Sequence, residues 1–129
     1  MVELVKKAAE AMKNSYSPYS KFKVGCAVEM SSGKIFTATN VENASYSATI
    51  CAERAAIAYA IGQGETEIKK IAVISVSKEP VVPCGVCLQF MSEFAKNPKI
   101  YCSSNDLKKI EEFTLSHFLP HAFDKKSLG

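Results

Sequence analysis

Residues 71–87 read IAVISVSKEPVVPCGVC and decide the fold class. The run from Ile71 to Ser77 is almost continuously apolar and has the length of an interior strand. Pro83 stands where a proline is tolerated best, at or just before a helix start, and we predict a helix from Cys84 to Ala95. A fourth strand follows at Ile100–Ser103, so strands alternate with helices here, which predicts parallel neighbours in a sheet.

The first half of the chain adds a hairpin and two further helices. In Phe22–Met30 the even-numbered positions are apolar, which predicts a strand with one buried face, and Ser31–Lys34 fits a hairpin turn. The remaining predicted elements are an amphipathic helix within residues 1–14, a strand over Ile35–Thr39, an alanine-rich helix over Cys51–Ile61 that stops at Gly62, and a short helix over Thr114–Leu119. Together they predict an α/β fold, a mixed sheet with helices on both faces and an antiparallel edge.

Length and composition restrict the functions and the partners that this chain can have. A chain of 129 residues fits one compact domain, and we predict a single domain over residues 1–129. The net charge of +3 is mild and the lysines are scattered, which argues against a nucleic-acid partner. No apolar run approaches membrane-spanning length and no signal peptide is evident, so we expect no membrane partner and a cytoplasmic location. The odd number of cysteines, five, argues against a disulfide framework and favours a metal site or a reactive thiol.

Three of the cysteines, Cys51, Cys84 and Cys87, lie at the starts of predicted helices. A thiolate at a helix N-terminus is stabilised by free backbone N–H groups and the helix dipole, and two cysteines three residues apart can bind one metal ion. With Cys51 as a third ligand, the fourth position of a tetrahedral zinc stays open to water, as in catalytic sites. Glu53, two residues further on, then lies near the metal as a proton carrier.

Taken singly, these residues leave other interpretations open. The Cys84–Cys87 pair also fits a thioredoxin-like redox motif or a structural role. Cys51 alone fits an inert buried thiol, and Glu53 alone fits a first-turn glutamate that complements the helix dipole. The combination of Cys-Ala-Glu at one helix start and Pro-Cys-x-x-Cys at the next favours the zinc site.

This combination resembles a known family. Cys51–Arg54 (CAER) and Pro83–Cys87 (PCGVC) are similar to the two signatures of the cytidine deaminases, in their three-cysteine version. The resemblance runs from about residue 14 to residue 124 and is to the small, homotetrameric members of the family. It includes four further stretches, Tyr16–Phe22, Val24–Gly25, Asn40–Ser47 and Leu119–Phe123.

The resemblance implies a three-layer α-β-α sandwich with a mixed central sheet of about five strands. It also implies one Zn²⁺ per subunit, held by Cys51, Cys84 and Cys87. The implied reaction is hydrolytic deamination of cytidine and deoxycytidine to uridine and deoxyuridine plus ammonia, a step of pyrimidine salvage. In that family a zinc-bound hydroxide attacks C4 of the cytosine ring, and the resemblance makes Glu53 the proton shuttle.

Substrate contacts follow from the same resemblance. Phe22 matches an aromatic residue that packs against the base, and the Ala52 backbone lies where relatives hydrogen-bond the base. Asn40 and Glu42 match a pair that binds the ribose hydroxyls. Without the motifs, Phe22 also fits a buried strand position and Asn40 a turn residue.

The resemblance further implies that the sites are shared between subunits. Tyr46 and Phe123 match residues that reach the site of a neighbouring subunit, so that a homotetramer completes each site. Considered alone, Phe123 also fits a residue that seals the core.

Two positions depart from the family pattern. Leu88 stands where relatives commonly carry an arginine that, like Arg54, donates hydrogen bonds to the thiolates, so we expect Arg54 to be unusually sensitive to substitution. Val82 stands where relatives often have serine, and the sequence gives it no function. Cys26 and Cys102 fall in predicted strands and are expected to be buried and inert.

Alternative functions stay open at this point. One is a deaminase of another amino-heterocycle, such as a nucleoside antibiotic or a base within nucleic acid, although Asn40 and Glu42 favour a free nucleoside. Another is a non-enzymatic protein with a structural zinc, which requires a fourth protein ligand. A redox function leaves Cys51 and Glu53 unexplained.

Overall fold

The computed structural model describes residues 1–129, which form four helices and five strands. The helices are α1 (Val2–Met12), α2 (Ala52–Gly62), α3 (Gly85–Ser92) and α4 (Leu115–Phe118). The strands are β1 (Val24–Met30), β2 (Ile35–Thr39), β3 (Ile68–Ser75), β4 (Lys99–Ser103) and β5 (Ile110–Thr114). None of the helices has the length and apolar character needed to span a membrane.

The five strands form one mixed sheet in the order β2-β1-β3-β4-β5. β1 and β2 pair antiparallel through a tight turn in which Gly33 has a φ of +92°, a conformation that glycine adopts without strain. β3 and β4 pair in parallel, because the connection between them crosses over through α3. The predicted antiparallel edge, the parallel pair and the sheet of about five strands are confirmed.

Helices cover both faces of this sheet. On one face, Leu4, Val5 and Ala8 of α1 join an apolar cluster with residues of β1, β3 and β4. On the other face, α2, α3 and α4 pack on a larger cluster of 15 buried residues, among them Cys26 and Cys102. These two apolar layers confirm the three-layer α-β-α sandwich.

Strand β1 corrects one expectation. The alternation in Phe22–Met30 predicts one buried face, whereas β1 is buried on both. Cys26 and Val28 belong to the cluster beneath α2, and Ala27, which is also fully buried, belongs to the cluster beneath α1. The second face is buried because α1 covers it, and a single strand's alternation does not reveal which helix will pack there.

Gly25 allows α1 to lie directly on β1. A Cβ atom at this position would be 2.0 Å from the carbonyl oxygen of Ala8 and 2.8 Å from the Cβ of Met12. Only a residue without a side chain therefore fits at the point where the helix crosses the strand.

Several boundaries differ from the sequence prediction. β3 begins at Ile68, which pairs with Met30, and ends at Ser75 rather than Ser77. α3 ends at Ser92 because the chain turns there, and the Phe94 carbonyl accepts the Ile68 N–H instead of continuing a helix. The sequence prediction also lacks β5, whose residues are IEEFT, because two consecutive exposed glutamates interrupt the apolar alternation of this edge strand.

Candidate metal centre and active site

Three cysteine thiols meet where two helices begin. Cys51 is the N-cap of α2 and Cys84 the N-cap of α3, each with an extended backbone, and Cys87 lies in the first turn of α3. The three Sγ atoms lie within 4.8 Å of one another, and those of Cys84 and Cys87 are 3.6 Å apart. The structure thus brings the three sequence-predicted metal ligands into one group.

The donor set fits zinc. Thiolates are soft ligands that Zn²⁺ binds with tetrahedral geometry, and the N–H groups of two helix starts favour the thiolate form. Cys26 and Cys102 do not belong to the group, since they are buried in β1 and β4. Burial raises the pKa of both thiols, that of Cys102 to about 12. Three ligands leave one tetrahedral position free, which is the arrangement of catalytic zinc sites.

Arg54 offsets negative charge at the thiols. Its Nη2 donates to the Cys51 Sγ at 3.3 Å, while its buried Nε–H has no partner. A hydrogen bond from the Cys87 thiol, together with Arg54, lowers the pKa of Cys51 to about 5. The same hydrogen bond and burial raise the pKa of Cys87. Leu88 is buried in the core cluster and brings no second cation to the group.

Glu53 lies beside the thiols on the first turn of α2, and only 5% of it is exposed. Burial raises the pKa of its carboxyl to about 7, and the negative charge of Cys51 acts in the same direction. A carboxyl group with a pKa near 7 can take up and release a proton at neutral pH. Glu53 therefore has the burial and the pKa that a proton carrier requires.

A cavity of about 310 Å³ opens beside these groups. Its wall combines residues from the helix starts with residues from the loops that flank the hairpin. The sequence-predicted residues in this wall are Phe22, Asn40, Glu42, Cys51, Ala52, Glu53 and Cys84. The structure therefore places two of the three thiols, the Glu53 carboxyl and four of the proposed substrate contacts in a single cavity, whereas Cys87 is buried and does not line it.

The side chain of Asn40 is buried and held in one orientation. Its Oδ1 accepts hydrogen bonds from the Val24 N–H at 3.0 Å and from the Ser15 hydroxyl at 2.5 Å. Its Nδ2 donates to the Phe22 carbonyl at 2.8 Å. Because the oxygen and the nitrogen have different backbone partners, the amide cannot flip. The second Nδ2 hydrogen has no protein acceptor and is available to the cavity.

Glu42 presents an acceptor to the same cavity. Its carboxylate accepts hydrogen bonds from the N–H groups of Tyr19 at 3.0 Å and Ser20 at 3.1 Å, and from the Ser20 hydroxyl. These bonds, the hydroxyl's first, lower the pKa of Glu42. An ionised carboxylate only accepts hydrogen bonds, whereas the free Asn40 hydrogen only donates.

Tyr46 and Phe123 lie outside this cavity. Tyr46 is 78% exposed and packs edge-on against Tyr19, with ring centroids 6.3 Å apart. Phe123 is 58% exposed, and its carbonyl accepts a hydrogen bond from Gln89. Neither side chain lines the cavity, and both are largely exposed on the surface of the chain.

Part of the cavity wall carries no motif that identifies it in the sequence. The additional lining residues are Ser20, Val24, Thr49, Ile50, Val73, Ser75, Val81 and Val82. Val82, which the sequence left without a function, is 45% exposed and forms this wall together with Val81. An apolar pair directly before Pro83-Cys84, in an otherwise polar loop, is the signal that could have identified it.

Comparison with known proteins agrees with this geometry. Residues 2–104 match the family model described as the cytidine and deoxycytidylate deaminase zinc-binding region. The chain belongs to the cytidine deaminase family. The zinc-binding region of this family member contains the group of three cysteines at the two helix starts.

Individual relatives match over almost the whole chain. A cytidine deaminase from Halalkalibacterium halodurans is 41% identical over 127 residues, which cover 98% of this chain and 96% of the relative. One from Sporosarcina psychrophila is 39% identical over 127 residues, 98% of this chain and 93% of the relative. The crystal structure of a cytidine deaminase from Burkholderia pseudomallei matches with a TM-score of 0.88 at 37% identity, covering 94% of this chain and 97% of that chain. The similarity therefore extends well beyond the cysteine motifs.

Proposed function

We propose that this protein converts cytidine and deoxycytidine to uridine and deoxyuridine by hydrolytic deamination, with release of ammonia. The observation that carries the proposal is one cavity whose wall has two chemically different parts. One part of the wall is formed by the Cys51 and Cys84 thiols, with which the buried Cys87 is grouped, and by the buried Glu53 carboxyl, whose pKa is about 7. Another part is formed by an amide donor and a carboxylate acceptor. The relatives named cytidine deaminase support the same activity.

Cys51, Cys84 and Cys87 are the residues that would hold Zn²⁺. When bound, the ion supplies Lewis acidity that lowers the pKa of a water molecule. Glu53 takes up one proton from the attacking water and delivers it to the ring nitrogen N3. It then takes the second proton from the oxygen added at C4 and delivers it to the amino group, so that the C4–N bond breaks, ammonia leaves and a C4 carbonyl remains. Its burial keeps bulk water away from the carboxyl, so both water-derived protons pass to the substrate without exchange with solvent.

The remaining lining residues orient the nucleoside. The amino group of the base must face Glu53, so the sugar extends toward the rest of the cavity wall. A sugar hydroxyl can there accept from the Asn40 N–H while it donates to the Glu42 carboxylate. Phe22 provides an apolar surface for the base, and the Ala52 backbone lies within hydrogen-bonding reach of the cavity. These contacts favour a free nucleoside over a base within nucleic acid.

The exposed Tyr46 and Phe123 support a homotetramer in which each site is completed by neighbouring subunits. Two large aromatic side chains that lie outside the cavity of their own subunit are suited to reach the cavity of another. The five free cysteines fit the reducing conditions of the cytoplasm, where pyrimidine salvage takes place. Sedimentation velocity on the zinc-loaded protein tests the tetramer, and a monomer that deaminates cytidine at full rate would contradict it.

The deaminase activity is tested by the loss of cytidine absorbance together with the release of ammonia. We expect zinc-loaded protein to turn over cytidine and deoxycytidine, and Glu53→Gln to lower kcat about 10²- to 10⁴-fold, as expected for loss of a general acid–base. Glu111→Gln, which removes an exposed carboxylate on β5, is the matched control and should leave kcat unchanged. A zinc-loaded wild-type protein that turns over neither nucleoside would refute the proposal, and turnover of another amino-heterocycle alone would favour the alternative deaminase function.

A further inference from the structure

We propose that Ser15 is a positioning residue for the nucleoside and that it acts through the side-chain amide of Asn40. The inference rests on the proposed function, because it concerns how the sugar is recognised in the same cavity. Ser15 itself does not line that cavity. Its hydroxyl donates to the Asn40 Oδ1 at 2.5 Å.

The chain segment that carries Ser15 is aligned with the segment that carries Asn40. The Tyr16 N–H donates to the Asn40 carbonyl at 3.2 Å, and the Glu42 N–H donates to the Tyr16 carbonyl at 2.8 Å. The Oγ of Ser17 lies 3.2 Å from the Oγ of Ser15. These contacts place the Ser15 hydroxyl against the amide oxygen, outside the cavity wall.

The hydroxyl completes the hydrogen bonding of a buried oxygen. The Asn40 Oδ1 has two lone pairs, of which the Val24 N–H takes one and the Ser15 hydroxyl the other. The Thr39 hydroxyl lies 3.4 Å from the same oxygen, but its hydrogen is directed to the closer Val24 carbonyl at 2.8 Å. Only 8% of Asn40 is exposed, so water has little access to replace a lost partner. An amide oxygen that accepts two hydrogen bonds polarises its own N–H groups and makes them stronger donors. Ser15 therefore strengthens and fixes the one N–H that Asn40 offers to the cavity.

Loss of the Ser15 hydroxyl should weaken the binding only of nucleosides that carry a 2′- or 3′-hydroxyl on the sugar. Ser15→Ala should raise the KM for cytidine about five-fold, the order expected for weakening one hydrogen bond, and should change kcat less than about two-fold. The same substitution should not change the affinity for 2′,3′-dideoxycytidine, which keeps its 5′-hydroxyl but lacks the 2′- and 3′-hydroxyls that we assign to the Asn40 N–H. Ser15→Thr keeps a hydroxyl and should retain the wild-type KM.

The experiment measures KM and kcat of the zinc-loaded protein for both nucleosides, with dideoxycytidine measured as a competitive inhibitor where its turnover is slow. Ser17→Ala is the matched control, because Ser17 is only an alternative acceptor for the Ser15 hydroxyl and its loss leaves that hydroxyl directed to the Asn40 Oδ1. The proposal is supported if Ser15→Ala weakens the binding of cytidine but not of dideoxycytidine, and if Ser17→Ala weakens the binding of neither nucleoside. The proposal would be overturned if Ser15→Ala weakened the binding of cytidine and dideoxycytidine equally, or if it left the KM for cytidine unchanged. A Ser15→Thr variant with a KM for cytidine as high as that of Ser15→Ala would also overturn it.

A second readout separates this inference from the proposed function. If the wild-type protein turned over no cytidine, the proposed function would fail, and the side-chain amide NMR signal of Asn40 in nucleoside-free protein would still test Ser15. We expect Ser15→Ala to shift this signal and speed its hydrogen exchange, while Ser17→Ala leaves both near the wild-type values. An Asn40 signal that is the same in all three proteins overturns the inference.

Discussion

Replacing Glu53 by glutamine should stabilise the metal-free protein while it removes the proposed activity. The carboxyl is almost completely buried, and its pKa is raised from 4.5 to about 7, chiefly because burial disfavours the charged form. A carboxyl whose pKa is higher in the folded state binds its proton more tightly there than in the unfolded state. Its favourable contribution to the free energy of unfolding is therefore present below pH 4.5 and is lost as the pH rises toward 7. Glutamine has the same shape and no charge, and it therefore avoids this loss.

The size of the effect follows from the two pKa values. At 1.36 kcal/mol for each pH unit, we expect Glu53→Gln to raise the free energy of unfolding relative to wild type by about 1 kcal/mol at pH 5 and about 3 kcal/mol at pH 8.5. The difference between the two pH values is more diagnostic than either figure, because changes in packing that accompany the substitution contribute equally at both.

The assay is urea unfolding of chelator-treated protein at pH 5 and pH 8.5, in a reducing buffer that keeps all five thiols free. Glu111→Gln is again the control, since an exposed carboxylate should give the same small change at both pH values. If Glu53→Gln exceeds wild type in the free energy of unfolding by the same amount at pH 5 and pH 8.5, burial of a charged carboxylate is not what destabilises the metal-free protein. A variant that is less stable than wild type at pH 8.5 would contradict the reasoning outright.

Two further substitutions test the surroundings of the site. Arg54→Ala removes the donor to the Cys51 Sγ and should lower zinc affinity about 10- to 100-fold, as for other supporting contacts of metal ligands; competition with a chelator measures this, and wild-type affinity would show that Arg54 is dispensable. Gly25→Ala forces a Cβ against the Ala8 carbonyl and should lower the free energy of unfolding in urea by about 1–3 kcal/mol. Gly62→Ala, where nothing lies within 4 Å of the added carbon, is its control and should be no less stable than wild type.

The sequence was most informative where one residue type serves both local structure and chemistry. Cys51 and Cys84 begin helices and also carry thiols, so the motif predicts both the helix starts and a metal group. Gly33 in the hairpin turn and the apolar run of β3 are local signals of the same kind. The parallel pairing of β3 and β4 followed from these elements, because a helix between two strands leaves few ways to connect them.

Features that depend on long-range packing were not visible in the sequence. The hydrogen bonds that orient Asn40 come from Ser15 and from backbone groups of Phe22 and Val24, which are distant along the chain. The pKa of Glu53 depends on burial that several elements create together. β5 is recognisable only as a partner of β4, since its outward residues are polar.

The distribution of the three thiols over two helices also has a consequence for the amount of the protein in the cell. An ion held by Cys51 on one side and by Cys84 and Cys87 on the other ties the start of α2 to the start of α3 and encloses β3 in a closed loop of chain. Such a cross-link exists only in the folded state, so the zinc available to the cell and the folded fraction of this protein rise together. Zinc starvation would then reduce the amount of the protein through degradation as well as the activity of each molecule.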